Sequence, residues 1–267
     1  MPFGWRSNLA EIFYIDANLV TTRPLYAYDT LTHELQHMIN FNMKTVRAGR
    51  SSDAWYNEML SMISQDLISS LISIPTNHND HVINTSMPHF LANYHLEGFT
   101  EWNINSHSDS WIPYATKYAF GAYLVRNYGG VNLINKIMHN NQVNVASIEA
   151  ALQEITPGLT FNEVLLRFSE AMMYVNPVPA GMNTFHKSTT ETFNGRQYFY
   201  SGFNVWTMSR TGGTGPRFYG ISEQIAIRPR SFSIHHSTAN WRNVTGSRTI
   251  TLERPSGSNI QFILLVR

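Results

Sequence analysis

Apolar positions recur at two different periods along the chain, and the change of period divides it. From about Tyr26 to Val175 the spacing is helical. Leu31, Leu35, Met38, Ile39 and Met43 repeat every three or four residues and predict a face for the core. Tyr28-Asp29-Thr30 stands ahead as an N-cap, and no Pro or Gly interrupts from Leu25 to Ala48. A second helical run begins around Glu58, capped by Ser52 or Asp53, and ends near Ile74. Others cover Trp111–Tyr128, Asn132–His139, Ser147–Ile155 and Asn162–Tyr174, punctuated by Gly129-Gly130 and Pro157-Gly158. Pro75 to Ser110 reads as polar, irregular chain. Asn176-Pro177-Val178-Pro179-Ala180-Gly181 breaks the pattern as a linker. Beyond it come short alternating runs at Gln197–Tyr200, Asn204–Met208, Gln224–Ile227, Ser231–His235, Arg248–Glu253 and Asn259–Val266, which predict an antiparallel sandwich. The expected class is α+β, with a helical domain over residues 1–180 and a small β-sandwich over 181–267 that leans on it.

Composition narrows the function classes. Hydrophobic residues make up 43% and charged residues 14% of 267, the balance of a folded chain able to bury a sizeable core. Net charge is +1 with basic residues scattered, so nothing points to nucleic acid. No apolar run reaches the ~18 residues of a membrane span. The absence of Cys excludes disulfides and thiolate ligands. Abundant Asn, Ser and Thr with few Lys fits a secreted protein. Met1 to Arg6 lacks the features of a signal peptide.

One short stretch specifies chemistry: His33-Glu34-Leu35-Gln36-His37. On a helix, i and i+4 lie one above the other, so His33 and His37 can offer two imidazoles to one metal ion. Glu34 sits ~100° round the helix at ~3.6 residues per turn. From there it can take a proton from a water that zinc activates. A catalytic zinc wants three protein ligands. The residues after His37 (Met38-Ile39-Asn40-Phe41-Asn42-Met43) lack the Gly and third His of the extended metzincin pattern. Glu58 is the better candidate, brought back beside the histidines if two antiparallel helices are joined through the polar loop 47–53. Ser61, Gln65 and Asp66 share its side of the second helix and could orient the histidines.

The segments Ala10–Asp16, HELQHMIN and WYNEMLSM, with the later run Tyr118–Gly129, resemble the hyicolysin family of bacterial metallopeptidases among the gluzincins. The resemblance covers about residues 8 to 175. It implies a zincin, thermolysin-like catalytic domain with one zinc ion, held by His33, His37 and Glu58, and Glu34 as catalytic base. It also implies an oxyanion-stabilising Tyr or His from a later helix, for which Tyr118 is the first candidate and Tyr123 the second. Glu11-Ile12-Phe13-Tyr14-Ile15 reads as a β-strand, which in gluzincins borders the cleft. Resembling proteins carry more chain and an export signal before that strand, so an incomplete N-terminal sheet is expected.

The expected function is zinc-dependent endopeptidase activity on a protein or peptide substrate, by a monomer outside a bacterial cell. No acidic pair for a free amine suggests an aminopeptidase. The alternative is a catalytically inactive zincin-like protein that binds a surface or carbohydrate through Trp206, Tyr219 and Trp241. Thr76–His81 offers side-chain oxygens that could hold calcium, but its spacing matches no calcium loop and it reads as a solvated turn. His235-His236 are poor joint ligands, because adjacent strand residues point to opposite faces. Asn84-Thr85-Ser86 and Asn243-Val244-Thr245 match the glycosylation pattern incidentally.

Overall fold

A computed structural model describes residues 12–105, 109–174, 181–217, 219–220, 237–238 and 256. A short helix α1 (Ala17–Thr22) is capped by Asp16, whose side chain accepts from Asn18 N at 2.8 Å. Pro24 then opens α2 (Pro24–Asn40), its missing N–H costing nothing at a first-turn position. The predicted cap at 28–30 therefore lies inside the helix, and Asp29 is buried there. A π-helical segment, Phe41–Arg47, continues α2. The chain turns back into α3 (Ala54–Ile68), followed by α4 (Val82–Asn93), α5 (Trp111–Asn127), α6 (Gly130–His139), α7 (Asn144–Ile155) and α8 (Phe161–Ala171).

The core is organised around α5. Fourteen of its residues, from Ile112 to Arg126, are buried, as expected of a helix surrounded by others rather than one carrying a single apolar stripe. It packs on α3, α4 and α6. Gly121 faces Met59 and Ile63 of α3 so closely that no side chain fits between the two helices. Phe168 meets Phe99 and Phe120 edge to face, those two rings are tilted against each other, and Phe168 also lies against Phe185 from beyond the helices. Two buried ion pairs cross this core. Lys117 Nζ lies 3.1 Å from Glu97 Oε1, and Arg126 Nη1 lies 2.7 Å from Asp66 Oδ2. Arg126 also donates to the Ser201 carbonyl at 2.7 Å, fastening the C-terminal segment to α5.

Beyond the helices, β1 (Thr189–Phe193) and β2 (Arg196–Tyr200) form an antiparallel hairpin in which Thr189 pairs with Tyr200 and Phe193 with Arg196. Asn194 and Gly195 make its turn with φ of 49° and 75°, the conformation that an Asn-Gly hairpin requires. Two-residue pairings follow: β3 (Ser209–Arg210) antiparallel to β4 (Gly213–Thr214), and β5 (Tyr219–Gly220) parallel to β6 (Ser237–Thr238). The fold is thus mainly helical with small two-stranded sheets. Phe185, Tyr200 and Val205 join the same apolar core as the helices. No helix among the described residues is long and apolar enough to cross a membrane.

Several expectations are corrected. The Pro75–Ser110 stretch contains α4, whose Val82, Ile83, Met87, Phe90 and Leu91 are buried at helical spacing on both sides of Pro88. Asn204–Met208 is a turn that leads into β3, not a strand. Ile12 to Ile15 has no regular structure, since a strand exists only with a ladder partner and none stands beside it among the described residues. The predicted strands at 224–227, 231–235, 248–253 and 259–266, and the linker at 176–180, lie outside the described residues. The largest correction concerns α2. Leu35 and Ile39 are 47% and 41% exposed, whereas Asp29, Gln36, Asn40 and Lys44 are buried. The face turned to the protein is the polar one.

Candidate metal centre

That inversion is what builds the site. The α2 and α3 helices run antiparallel, as the pairings His33–Gln65, His37–Ser61 and Asn40–Ser52 require. His33 and His37, one turn apart, face the second turn of α3, where Glu58 stands. The two Nε2 atoms are 3.0 Å apart, and Glu58 Oε2 lies 3.2 Å from His33 Nε2 and 3.6 Å from His37 Nε2. Two ligands at ~2.0–2.1 Å from one tetrahedral zinc would be about 3.3 Å apart, so these three edges straddle the value such an ion needs. Glu58 Oε2 is buried without a well-formed hydrogen bond, so the pocket leaves one anionic lone-pair donor unsatisfied between two imidazoles. Among the described residues this is the one His/Asp/Glu trio able to hold a metal.

The outer nitrogens are held as well. His33 Nδ1 lies 3.2 Å from Gln65 Oε1, and His37 Nδ1 lies 3.1 Å from Ser61 Oγ. Gln65 Nε2 donates in turn to Asp29 Oδ2. Burial works against charge on His33, but its close contact with the Glu58 carboxylate and the attraction between them outweigh that, helped by Gln65 and Glu34, and its pKa is raised. Burial pushes the Asp29 carboxyl up to about 7, against the lowering effects of Gln65 and His33. Of the three orienting residues considered from sequence, Ser61 and Gln65 serve the histidines. Asp66 instead holds Arg126 and Tyr118.

Glu34 is exposed on α2, beside the trio rather than within it. Tyr118, expected as an oxyanion donor, is misplaced for that task. It is fully buried, and its hydroxyl donates to Asp66 Oδ2 at 3.0 Å. Tyr123 is equally buried, with its hydroxyl 3.4 Å from that of Tyr128. The aromatic at the site is Tyr114, one turn earlier on α5, whose ring centroid is 6.4 Å from that of His33. Burial, then the Glu58 and Glu34 carboxylates, raise its pKa and keep the hydroxyl a neutral donor. Trp102 meets the Tyr114 ring edge-on at 4.9 Å, and Trp111 packs on it at 5.7 Å. Nothing in the local spacing separates Tyr114 from Tyr118 and Tyr123 on the same helix.

Other expected features resolve differently. In the Thr76–His81 turn, Asp80 pairs with Arg23, while His81 is buried against Ser69 and caps α4 by accepting from Ile83 N at 3.2 Å. Asn84 donates to the carbonyls of Thr76 and His78, an amide engaged in holding that turn. Trp206 is half-buried against the core. His235, His236 and Trp241 lie outside the described residues, as does the side chain of Tyr219.

A family model described as peptidase M30 matches residues 7–197. Over 178 residues the chain is 27% identical to the neutral metalloprotease ShpI of Staphylococcus hyicus, an alignment covering 62% of this chain. The chain spans 38% of that relative's length.

Proposed function

Since the chain belongs to the peptidase M30 family, we propose that it is a zinc-dependent endopeptidase in which His33, His37 and Glu58 hold one zinc ion and Glu34 is the general base. The observation that carries this reading is the convergence of three ligand atoms within 4.8 Å of one another, next to a free-standing carboxylate one residue along the helix. Zinc, when bound, supplies a Lewis acid that polarises a carbonyl and acidifies a water. Glu34 removes the proton of the attacking water and delivers it to the departing amine. The Tyr114 hydroxyl donates to the oxygen on which negative charge develops, and the neighbouring Trp102 and Trp111 hold its ring. Gln65 and Ser61 keep the two imidazoles turned inward. The substrate is an unfolded protein or peptide. Action outside the cell belongs to the same proposal, in keeping with the Asn-, Ser- and Thr-rich composition.

The test is casein hydrolysis by the zinc-loaded chain beside Glu34→Gln. The variant should hold one zinc per chain and lose roughly a thousandfold or more in kcat/KM. Equal cleavage by both would assign the activity to a contaminant. Zinc binding without cleavage by either would favour a non-catalytic, surface-binding role.

A further inference from the structure

Asp29 lies one turn before His33 on the same face of α2, only 3% exposed, and its Oδ2 accepts from Gln65 Nε2. The same Gln65 side chain, 9% exposed, presents Oε1 to His33 Nδ1 at 3.2 Å. An amide can turn either end toward a neighbour, so by itself Gln65 does not dictate which atom meets the imidazole. An ionised carboxylate removes the choice, because it only accepts. The NH2 end must face Asp29, which leaves the carbonyl for His33. The carbonyl also only accepts, so Nδ1 must carry the proton and Nε2 the lone pair. His37 has no such constraint: the hydroxyl of Ser61 rotates and can donate or accept.

We propose that Asp29 is a positioning residue of the metal centre, orienting the Gln65 amide so that His33 is held in the tautomer whose Nε2 binds metal. This rests on the zinc reading of the trio. Asp29 touches neither ion nor substrate. Its effect passes through one amide, and it adds a buried negative charge that makes the imidazole a stronger ligand. Outer hydrogen-bond partners of this kind typically change metal affinity 10–100-fold.

The experiment measures zinc affinity by competition with a chromophoric chelator at pH 8, using the full chain. Asp29→Asn keeps the size of the side chain but lets the amide turn, and should weaken zinc binding about tenfold or more. Adding Gln65→Glu should restore affinity to within a few-fold of the parent. Glu at 65 can accept from His33 Nδ1 with one oxygen and from the new Asn at 29 with the other. Thermal melting of the zinc-free proteins accompanies each measurement, and Asp29→Ala takes the place of Asp29→Asn should the latter not fold. Unchanged affinity in the single variant overturns the proposal. So does weakened affinity that the second change fails to restore, since that outcome assigns Asp29 a purely structural role. A parent that binds no zinc removes both this inference and the peptidase reading. A parent that binds zinc and cleaves casein, with all variants equal to it, removes this inference alone.

Discussion

Two tyrosines one helical turn apart have different neighbours, and the difference can be measured. Tyr114 stands against His33 and within reach of the charge on Glu34 and Glu58, whereas Tyr118 is sealed in the core on Asp66. Tyr114→Phe should lower kcat by ~10²-fold, the order seen when one oxyanion donor is removed, with little change in KM or melting temperature. Tyr118→Phe should leave kcat near the parent value but cost ~1–3 kcal/mol, because the buried Asp66 loses a donor. Steady-state kinetics and thermal melts separate the two, and the reverse pattern would return the role to Tyr118. At this scale the motif residues were readable in advance, since i, i+4 spacing on a helix is a local property. The tyrosine was not, because which turn of α5 faces the site depends on how that helix crosses α2 and α3.

At the scale of elements, the crossing of α3 and α5 sets the position of Glu58. Gly121 permits it: a methyl there would meet Met59 Cγ at 3.1 Å and lie still closer to Ile63 Cγ1. Gly121→Ala should gain ~1 kcal/mol of helix propensity and lose more to overpacking, ~1–3 kcal/mol, for a net destabilisation. Combined with Ile63→Ala, the total cost should be less than the sum of the single costs, because the added methyl fills part of the cavity. Additive costs in denaturant melts would mean that the helices do not touch there. Most helices were legible from apolar spacing, including α5 to α8 within a few residues. The α4 helix was hidden by Pro88 and by flanking His and Asn, although Ile83, Met87 and Phe90 carry the period. On α2 the apolar stripe of Leu35 and Ile39 predicts the opposite face from the one that is buried. The helix turns its polar side inward, and Lys44 shows why that side can be buried: its ammonium donates to the carbonyl of Asn140 at 2.7 Å and to that of Ile137, after α6 runs out of partners of its own.

For the whole molecule, the α2–α3 contact is made largely through ionisable and polar groups, so metal should count as a structural member. Zinc at a thousandfold above its dissociation constant stabilises the folded state by ~4 kcal/mol. For a chain of this size, that corresponds to roughly 10 °C in melting temperature. Removing the ion with a chelator should give a shift of that order in the parent and in Glu34→Gln. The shift should be much smaller in Glu58→Gln, which lacks the anionic ligand. Equal shifts in all three would place the ion elsewhere.

The amino-acid sequence alone was enough for the candidate metal-binding pair, the carboxylate that follows the first histidine and the helical character of the chain around them. These follow from spacing within one helix and need no partner. Glu58 was reachable by counting, through the length of the loop that returns α3 to α2. Tertiary structure alone decided which face of α2 is buried, which tyrosine meets the site, and that Asp29 reaches His33 through Gln65 from the neighbouring helix. Each of these depends on the rotation and crossing of helices about one another, and a one-dimensional period fixes how a helix's residues share its faces but not which face its neighbours will cover.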